Sequence, residues 1–297
     1  MILVDYSQVV IAAMYADMKD GGNIVVNEDI LRHMILNTLR ALNVKFRHRY
    51  GKMIIAADGK DYWRCDIFSN YKANRKTKRE KSDIDWAQLY RVMDTVLKEI
   101  DDNFPFIVMK LDRCEADDVI GTLVKYANDY SDKQSGDGLF DEPESSVIVS
   151  TDGDFVQLQR YRNVVQYSNT RDEFIKPKAS PTIDLALKCI IGDKGDNITN
   201  CRSHADSLNA GIRQKSIMQA EKDAWSLRPQ LIPEALREKY EFNRSLIDLS
   251  MIPKEYGDII VQKYQEELLK GKNSEKVYSY FKDNGLVSML KYIHDFI

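Results

Sequence analysis

Nine carboxylates in this chain fall where carboxylates can act together. Asp5 ends the apolar run Ile2–Val4, Asp58 ends Met53–Ala57, and Asp152 and Asp154 follow Val147–Ser150. Glu115, Asp117 and Asp118 come soon after Phe106–Met109, and Asp193 and Asp196 stand three apart in Gly-Asp-Lys-Gly-Asp-Asn. Like charges crowded together repel one another and hold protons unless cations neutralise them. An all-oxygen cluster suits hard ions, magnesium or manganese, and nine acids exceed the needs of one ion. Two metals about 4 Å apart, one activating a water and one stabilising a leaving oxygen, would hydrolyse a phosphodiester. Helix capping gives a second account of any single cluster, because Asp and Glu favour a helix's first turn. It does not account for four clusters that each sit at a strand end or turn.

Other chemistries have little to work with. The four cysteines (Cys65, Cys114, Cys189, Cys201) are far apart with no CxxC pair, which predicts reduced thiols and no cysteine zinc site. Four scattered histidines form no metal cluster.

A basic stretch follows Asp58. Between Lys60 and Lys81 there are eight Lys or Arg against three acids, with Trp63, Phe68 and Tyr71 interleaved. Cations that contact phosphates and rings that stack on bases suit a nucleic-acid strand. A solvated helix face is the alternative. Net charge is −3, from 43 Lys+Arg against 46 Asp+Glu. Removing the nine site acids from that balance leaves +6, so the acidic total does not exclude a nucleic-acid partner.

The elements that must position these residues are readable in outline. Ile2–Val4, Met53–Ala57, Phe106–Met109 and Val147–Ser150 are short, apolar and bounded by polar residues, as buried strands are. Between them Glu28–Phe46, Asp85–Asp101 and Ala116–Tyr130 carry apolar residues at helical spacing. That alternation predicts an α/β fold, a mostly parallel sheet with helices on its faces. The carboxyl ends of parallel strands share one edge, where ligands bind, so the strand-end acids would meet in one crevice. Ser131–Ser146 reads as a long polar loop and Lys176–Pro181 as a linker. Beyond it helical patterns dominate at Thr182–Ile191, Ser216–Ser226 and Asp258–Leu269, while Asn200–Lys215 has no periodicity. We therefore expect an α/β core over residues 1–180, its basic region at about 60–84, and a helical C-terminal domain over 181–297. The 297 residues can bury a sizeable core. No run of about eighteen apolar residues is present, so a membrane span is not expected, nor is a secretory leader.

On these residues the sequence resembles the 5′-nuclease superfamily, which includes flap endonucleases, the 5′-nuclease domain of bacterial DNA polymerase I and the phage ribonucleases H. The matching pieces are Val4-Asp5-Tyr6-Ser7, Ala57-Asp58, Tyr71-Lys72-Ala73-Asn74-Arg75, Glu115-Ala116-Asp117-Asp118, Thr151-Asp152-Gly153-Asp154 and Gly192-Asp193-Lys194-Gly195-Asp196-Asn197. They stand in the family's order. The resemblance implies a PIN-like 5′-nuclease core and two Mg2+ ions, with Mn2+ able to substitute. The ligands it implies are Asp5, Asp58, Glu115, Asp117, Asp118, Asp152, Asp154, Asp193 and Asp196, with Asp117 and Asp118 not divided between the metals. It further implies a helical arch after Tyr71–Arg75, Lys72 on the scissile phosphate, Arg75 and Arg64 on phosphates, and Tyr71 stacked on a base. A buried core position is the alternative for Tyr71.

The likeness weakens after Asn197. Ile198–Ala210 lacks the glycines of the family's helix-hairpin-helix, and only Gly211-Ile212-Arg213-Gln214-Lys215-Ser216 resembles its end. That leaves Lys215 and the next helix's N-terminus as a degenerate duplex contact, and leaves the family's potassium site without support.

The resemblance implies a 5′→3′ exonuclease and flap endonuclease on RNA–DNA hybrid and duplex DNA. Its implied task is primer removal in phage lagging-strand replication, in the cytoplasm of the infected host. Monomer is the family expectation. No motif identifies a contact with a single-strand-binding protein or a sliding clamp, for which the helical C-terminal part is the available surface. Two other readings differ in class: a PIN-like ribonuclease on single-stranded RNA, and a replication accessory protein that binds DNA structure without cleaving it. A requirement for a duplex junction separates the first reading from the second, and metal-independent binding without cleavage would favour the third.

Overall fold

A computed structural model describes residues 1–19, 27–134, 144–270 and 275–297. The chain runs β1 (Ile2–Asp5), α1 (Tyr6–Lys19), α2 (Glu28–Tyr50), β2 (Met53–Ala57), α3 (Arg64–Ile67), α4 (Ala73–Glu80), α5 (Trp86–Asn103) and β3 (Ile107–Lys110). It continues through α6 (Ala116–Gln134), β4 (Ser146–Val149), a 3-10 turn at Gly153–Arg160, β5 (Val164–Ser168) and β6 (Glu173–Ile175). The helical part follows: α7 (Pro181–Ile191), α8 (Gln219–Leu227), α9 (Glu234–Ile247), α10 (Lys254–Leu269) and α11 (Glu275–Asp283).

The four expected strands form within a residue or so of their expected bounds. They lie in one six-stranded sheet of order β3-β2-β1-β4-β5-β6, parallel except for the antiparallel edge strand β6. From β1 the chain proceeds outward through β2 and β3, then returns to lay β4 and β5 on the other side. The carboxyl ends of β1 and β4 therefore flank the sheet's switch point, where the crossover helices leave a crevice. Asp5 closes one of those strands, and Asp152 and Asp154 follow the other.

Side-chain alternation along β1 serves two cores. Ile2 and Val4 pack with α1, α2, α5 and α11, while Leu3 packs with α6 and α10 on the opposite face. A third core joins Phe68 and Tyr71 to α7, α8 and α9. The helical part thus does not gather on one core: α7–α9 have their own, while α10 and α11 close opposite faces of the sheet. Part of the expected Ser131–Ser146 loop lies outside the described residues. Of the rest, 131–134 extend α6 and Ser146 opens β4.

Candidate active site

Each acid is held by the backbone geometry of its strand end. The Gln8 N–H donates to Asp5 Oδ1 at 3.2 Å, and Ser150 Oγ donates to Asp5 Oδ2 at 2.9 Å. Asp58 Oδ1 accepts from the Ala116 N–H at 3.0 Å, and Asp152 Oδ1 from the Asp154 N–H at 2.9 Å. Capping and ligation are therefore not alternatives here: at Asp58 and Asp152 a backbone N–H fixes one carboxylate oxygen and so orients the other.

Asp5, Asp58, Asp117 and Asp152 line one cleft of about 640 Å³ together with Lys60, Tyr62, Lys72, Arg75, Arg79 and Tyr90. Burial, with Asp58 next, pushes the Asp5 carboxyl up to about 7. Burial and then the charge of Asp152 push Asp117 well above the usual carboxylate range. Among the described residues no Lys, Arg or His forms an ion pair with any of these four.

The second group is built differently. Asp154, Asp193 and Asp196 offer oxygens that all lie within 4.8 Å of one another. Asp193 Oδ1 accepts the Gly195 N–H at 2.7 Å and the Asp196 N–H at 3.3 Å. This turn depends on Gly192, whose φ is +74°. A Cβ there would stand 2.4 Å from Ile198 O and 2.5 Å from the Thr199 carbonyl. Here the charge is answered from within the chain. Lys188 pairs with Asp154 and, at 2.8 Å, with Asp193, while Arg75 pairs with Asp196. Burial, opposed by Lys188, still leaves the Asp154 carboxyl raised to about 6. Asp193 is half-buried, and burial would raise it, yet Lys188 and the turn's N–H groups hold it below the usual range.

Several expectations require correction. Arg64 is 2 % exposed and cannot reach a phosphate. Its guanidinium pairs with Glu115 at 2.8 Å and Asp118 at 2.8 Å and donates through Nε to Leu246 O. Asp118 is fully buried: its Oδ2 also accepts from the Glu115 N–H and from Trp63 Nε1, and its Oδ1 stands against Arg64 Nη2. Asp117 alone of the adjacent pair faces the cleft. Glu115, 1 % exposed, accepts from Arg64, Tyr71 and Lys72. Tyr71 is buried in the helical core, its hydroxyl donating to Glu115 and Asp196, so it offers no ring for stacking. Lys215 is exposed but precedes α8 by four residues, and Glu221 caps that helix's N-terminus and pairs with Arg202. An anion is not invited there.

Lys72 and Arg75 do reach the cleft. Lys72 Nζ contacts Glu115 and lies 3.8 Å from Asp196. Lys72 has φ +57°, which a lysine adopts only when held, and its N–H donates to Asp196 O at 3.0 Å. Tyr62, which lines the cleft, and Lys188, which pairs with Asp154 and Asp193, were missed from the sequence. Tyr62, raised by burial and by Asp58, carries only the weak signal of an aromatic in a basic stretch. Lys188 carries none, being one lysine on an amphipathic helix.

A parallel sheet with paired acid groups at its switch point and cations on the cleft wall defines a nuclease of the 5′-nuclease type. The chain belongs to the 5′–3′ exonuclease family: the family's N-terminal resolvase-like domain matches residues 1–182, and the C-terminal domain described for T4 RNase H matches 179–296. Ribonuclease H of Enterobacteria phage T4 is 32 % identical, over 99 % of this chain and 95 % of that protein. DNA polymerase I of Streptococcus pneumoniae is 30 % identical over 49 % of this chain and 16 % of its own length. Among solved structures, the bacteriophage T5 flap endonuclease in a complex with DNA and metal ions superposes with a TM-score of 0.64, at 17 % identity, over 90 % of this chain and 98 % of that one. A zinc-bound T5 5′-exonuclease gives 0.58 at 16 % identity, with the same coverage. Both share the fold.

Proposed function

We propose that this nuclease is a magnesium-dependent 5′→3′ exonuclease and flap endonuclease acting on RNA–DNA hybrid and branched duplex DNA. Its task in this reading is to remove primers during phage replication, with residues 1–180 carrying the chemistry and 181–297 lying along the duplex. The observation that carries the reading is the group Asp5, Asp58, Asp117 and Asp152. Four buried or half-buried carboxylates share one cleft, and two of them, Asp5 and Asp117, are raised by burial first and by a neighbouring carboxylate second. Such a set fits a hard divalent cation, since every donor is an oxygen and no ion pair among the described residues neutralises the four acids. Asp154, Asp193 and Asp196 would hold a second, and Mn2+ would serve in either place.

Bound there, the metals would supply an activated water and a counter-charge for the leaving oxygen. The chain's own residues supply the rest. Asp5 must lose its proton before it can bind a cation. Lys72 and Arg75 would exchange Glu115 and Asp196 for a substrate phosphate and so stabilise its charge in place of water. Trp63, Arg64 and Asp118 hold the floor beneath them. The likeness to T4 ribonuclease H over nearly the whole chain supports the hybrid substrate, and the DNA in the T5 complex supports a DNA substrate.

The test is cleavage of end-labelled 5′-flapped duplex and RNA–DNA hybrid with Mg2+ and with EDTA. Short 5′ products from both substrates, lost in EDTA, are expected. Cleavage that survives EDTA, or intact substrates that are nonetheless bound, would overturn the reading. Contact with a single-strand-binding protein or a sliding clamp would fall to the helical part, and we read the protein as a monomer.

A further inference from the structure

The two acid groups differ in one respect that ligand counts do not convey. Asp5, Asp58, Asp117 and Asp152 share their cleft with Lys60, Lys72, Arg75 and Arg79 but form no ion pair among the described residues, whereas the second group is already ion-paired to Lys188. Lys188 stands in the last turn of α7, where the negative end of the helix dipole favours its charge. Its ammonium contacts Asp154 Oδ1 and lies 2.8 Å from Asp193 Oδ2. The choice of oxygens matters. Asp193 Oδ1 is engaged by the Gly195 and Asp196 N–H groups, so Oδ2 is the oxygen left for a ligand, and Lys188 holds it. The Lys188 side chain retains about a quarter of its exposure (25 %), so it has somewhere to go.

We propose that Lys188 is a built-in competitor for the second divalent-cation position, so that this position fills only when the ammonium is displaced from Asp154 and Asp193. The inference rests on the two-metal reading above. An ammonium offers three donors and satisfies two carboxylates, while a divalent ion needs about six oxygens around it. The two cannot share these oxygens, and a divalent ion beside a retained ammonium would face strong repulsion at low dielectric. The consequence is a deliberate inequality: the first position binds a cation readily and the second weakly. The acids stay satisfied in the metal-free enzyme, and Asp154 and Asp193 are kept together in readiness.

Binding of Mn2+ alone, followed by the loss of the free-ion electron paramagnetic resonance signal, tests this without reference to activity. The wild-type protein should show one tighter and one weaker position. Lys188→Met should tighten the weaker one about tenfold or more and leave the tighter one unchanged. Lys188→Arg, which keeps the charge, should leave the weak position weak. Adding Asp193→Asn to the Met variant should remove the gain, which locates it. Lys188→Gln is a second neutral variant should Met at this position unfold the protein. Unchanged or weaker second-site binding in the folded neutral variants, with the first position intact, would overturn the competitor role and leave the metal reading standing. No Mn2+ binding in any form would overturn both.

Discussion

Arg64 and Glu115 meet at 2.8 Å with their side chains only 3 % and 1 % exposed, and Lys72 reaches the same carboxylate from the cleft side. One acid is thus shared between a cation that never sees solvent and one that does. The inner pair fixes Glu115; in the proposed reaction the outer cation exchanges it for a phosphate.

This division predicts opposite outcomes for two basic residues in one stretch. Arg64→Met should cost about 3–5 kcal/mol of stability, because Asp118 and Glu115 are left buried without their partner. Chemical denaturation measures this directly. Substrate affinity of the folded fraction should be close to that of the wild type, and a stable variant with weakened binding would return Arg64 to the phosphate-contacting role.

Lys72→Ala should lower kcat by more than it raises KM. The side chain stands beside Glu115 and Asp196 rather than on the outer surface, so its interaction with the phosphate should be strongest as charge develops. Single-turnover kinetics on a flapped duplex separates the two effects. A pure loss of affinity with unchanged kcat would contradict the assignment.

Asp5 makes the metal-free protein sensitive to pH in a defined direction. Its carboxyl is raised from 3.8 to about 7, by burial first and then by Asp58. Between these values the native state holds a proton that the unfolded chain has released, so native stability falls as pH rises. Without metal, stability should therefore decline by up to a few kcal/mol from about pH 4 to about pH 7. Asp5→Asn should flatten the decline and Mg2+ should offset it. Thermal melts across that range provide the check; a metal-free stability that climbs through it would contradict the crowding.

The sequence disclosed the strand-end acids because a parallel sheet makes them legible. Each buried strand is a short apolar run, and the residue that ends it is named by position alone. It disclosed less where inside and outside share one alphabet. Arg64 and Arg75 both read as basic residues near an aromatic, yet one is sealed by Trp63 and Leu246 O while the other is 41 % exposed. Asp117 and Asp118 are adjacent, and helix phase alone sends one to the cleft and the other to Arg64. The helix α1 escaped notice because Tyr6–Lys19 is apolar along much of its length and shows little periodicity. The strand β5 and the antiparallel β6 escaped because Val164–Ile175 mixes polar and charged residues into its short strands.

Gly192→Ala should damage the second acid group without touching a carboxylate. The added Cβ would meet backbone atoms of Ile198 and Thr199 that cannot give way, at a positive φ that disfavours any side chain. A loss of about 2–4 kcal/mol is expected, together with weaker Mn2+ binding at Asp154, Asp193 and Asp196. A variant as stable as the wild type would show that the turn is looser than its contacts require.

Asp152→Asn decides whether the acids at the switch point carry the chemistry. Asp152 lines the cleft beside Asp5, Asp58 and Asp117, and the amide keeps its shape while removing its charge. Binding and cleavage of a labelled 5′-flapped duplex should be measured side by side, with Mg2+ for cleavage. Cleavage should fall by about 10³-fold or more while binding stays within a few-fold of the wild type. Turnover at the wild-type rate in a folded Asp152→Asn protein would contradict that role for the acids.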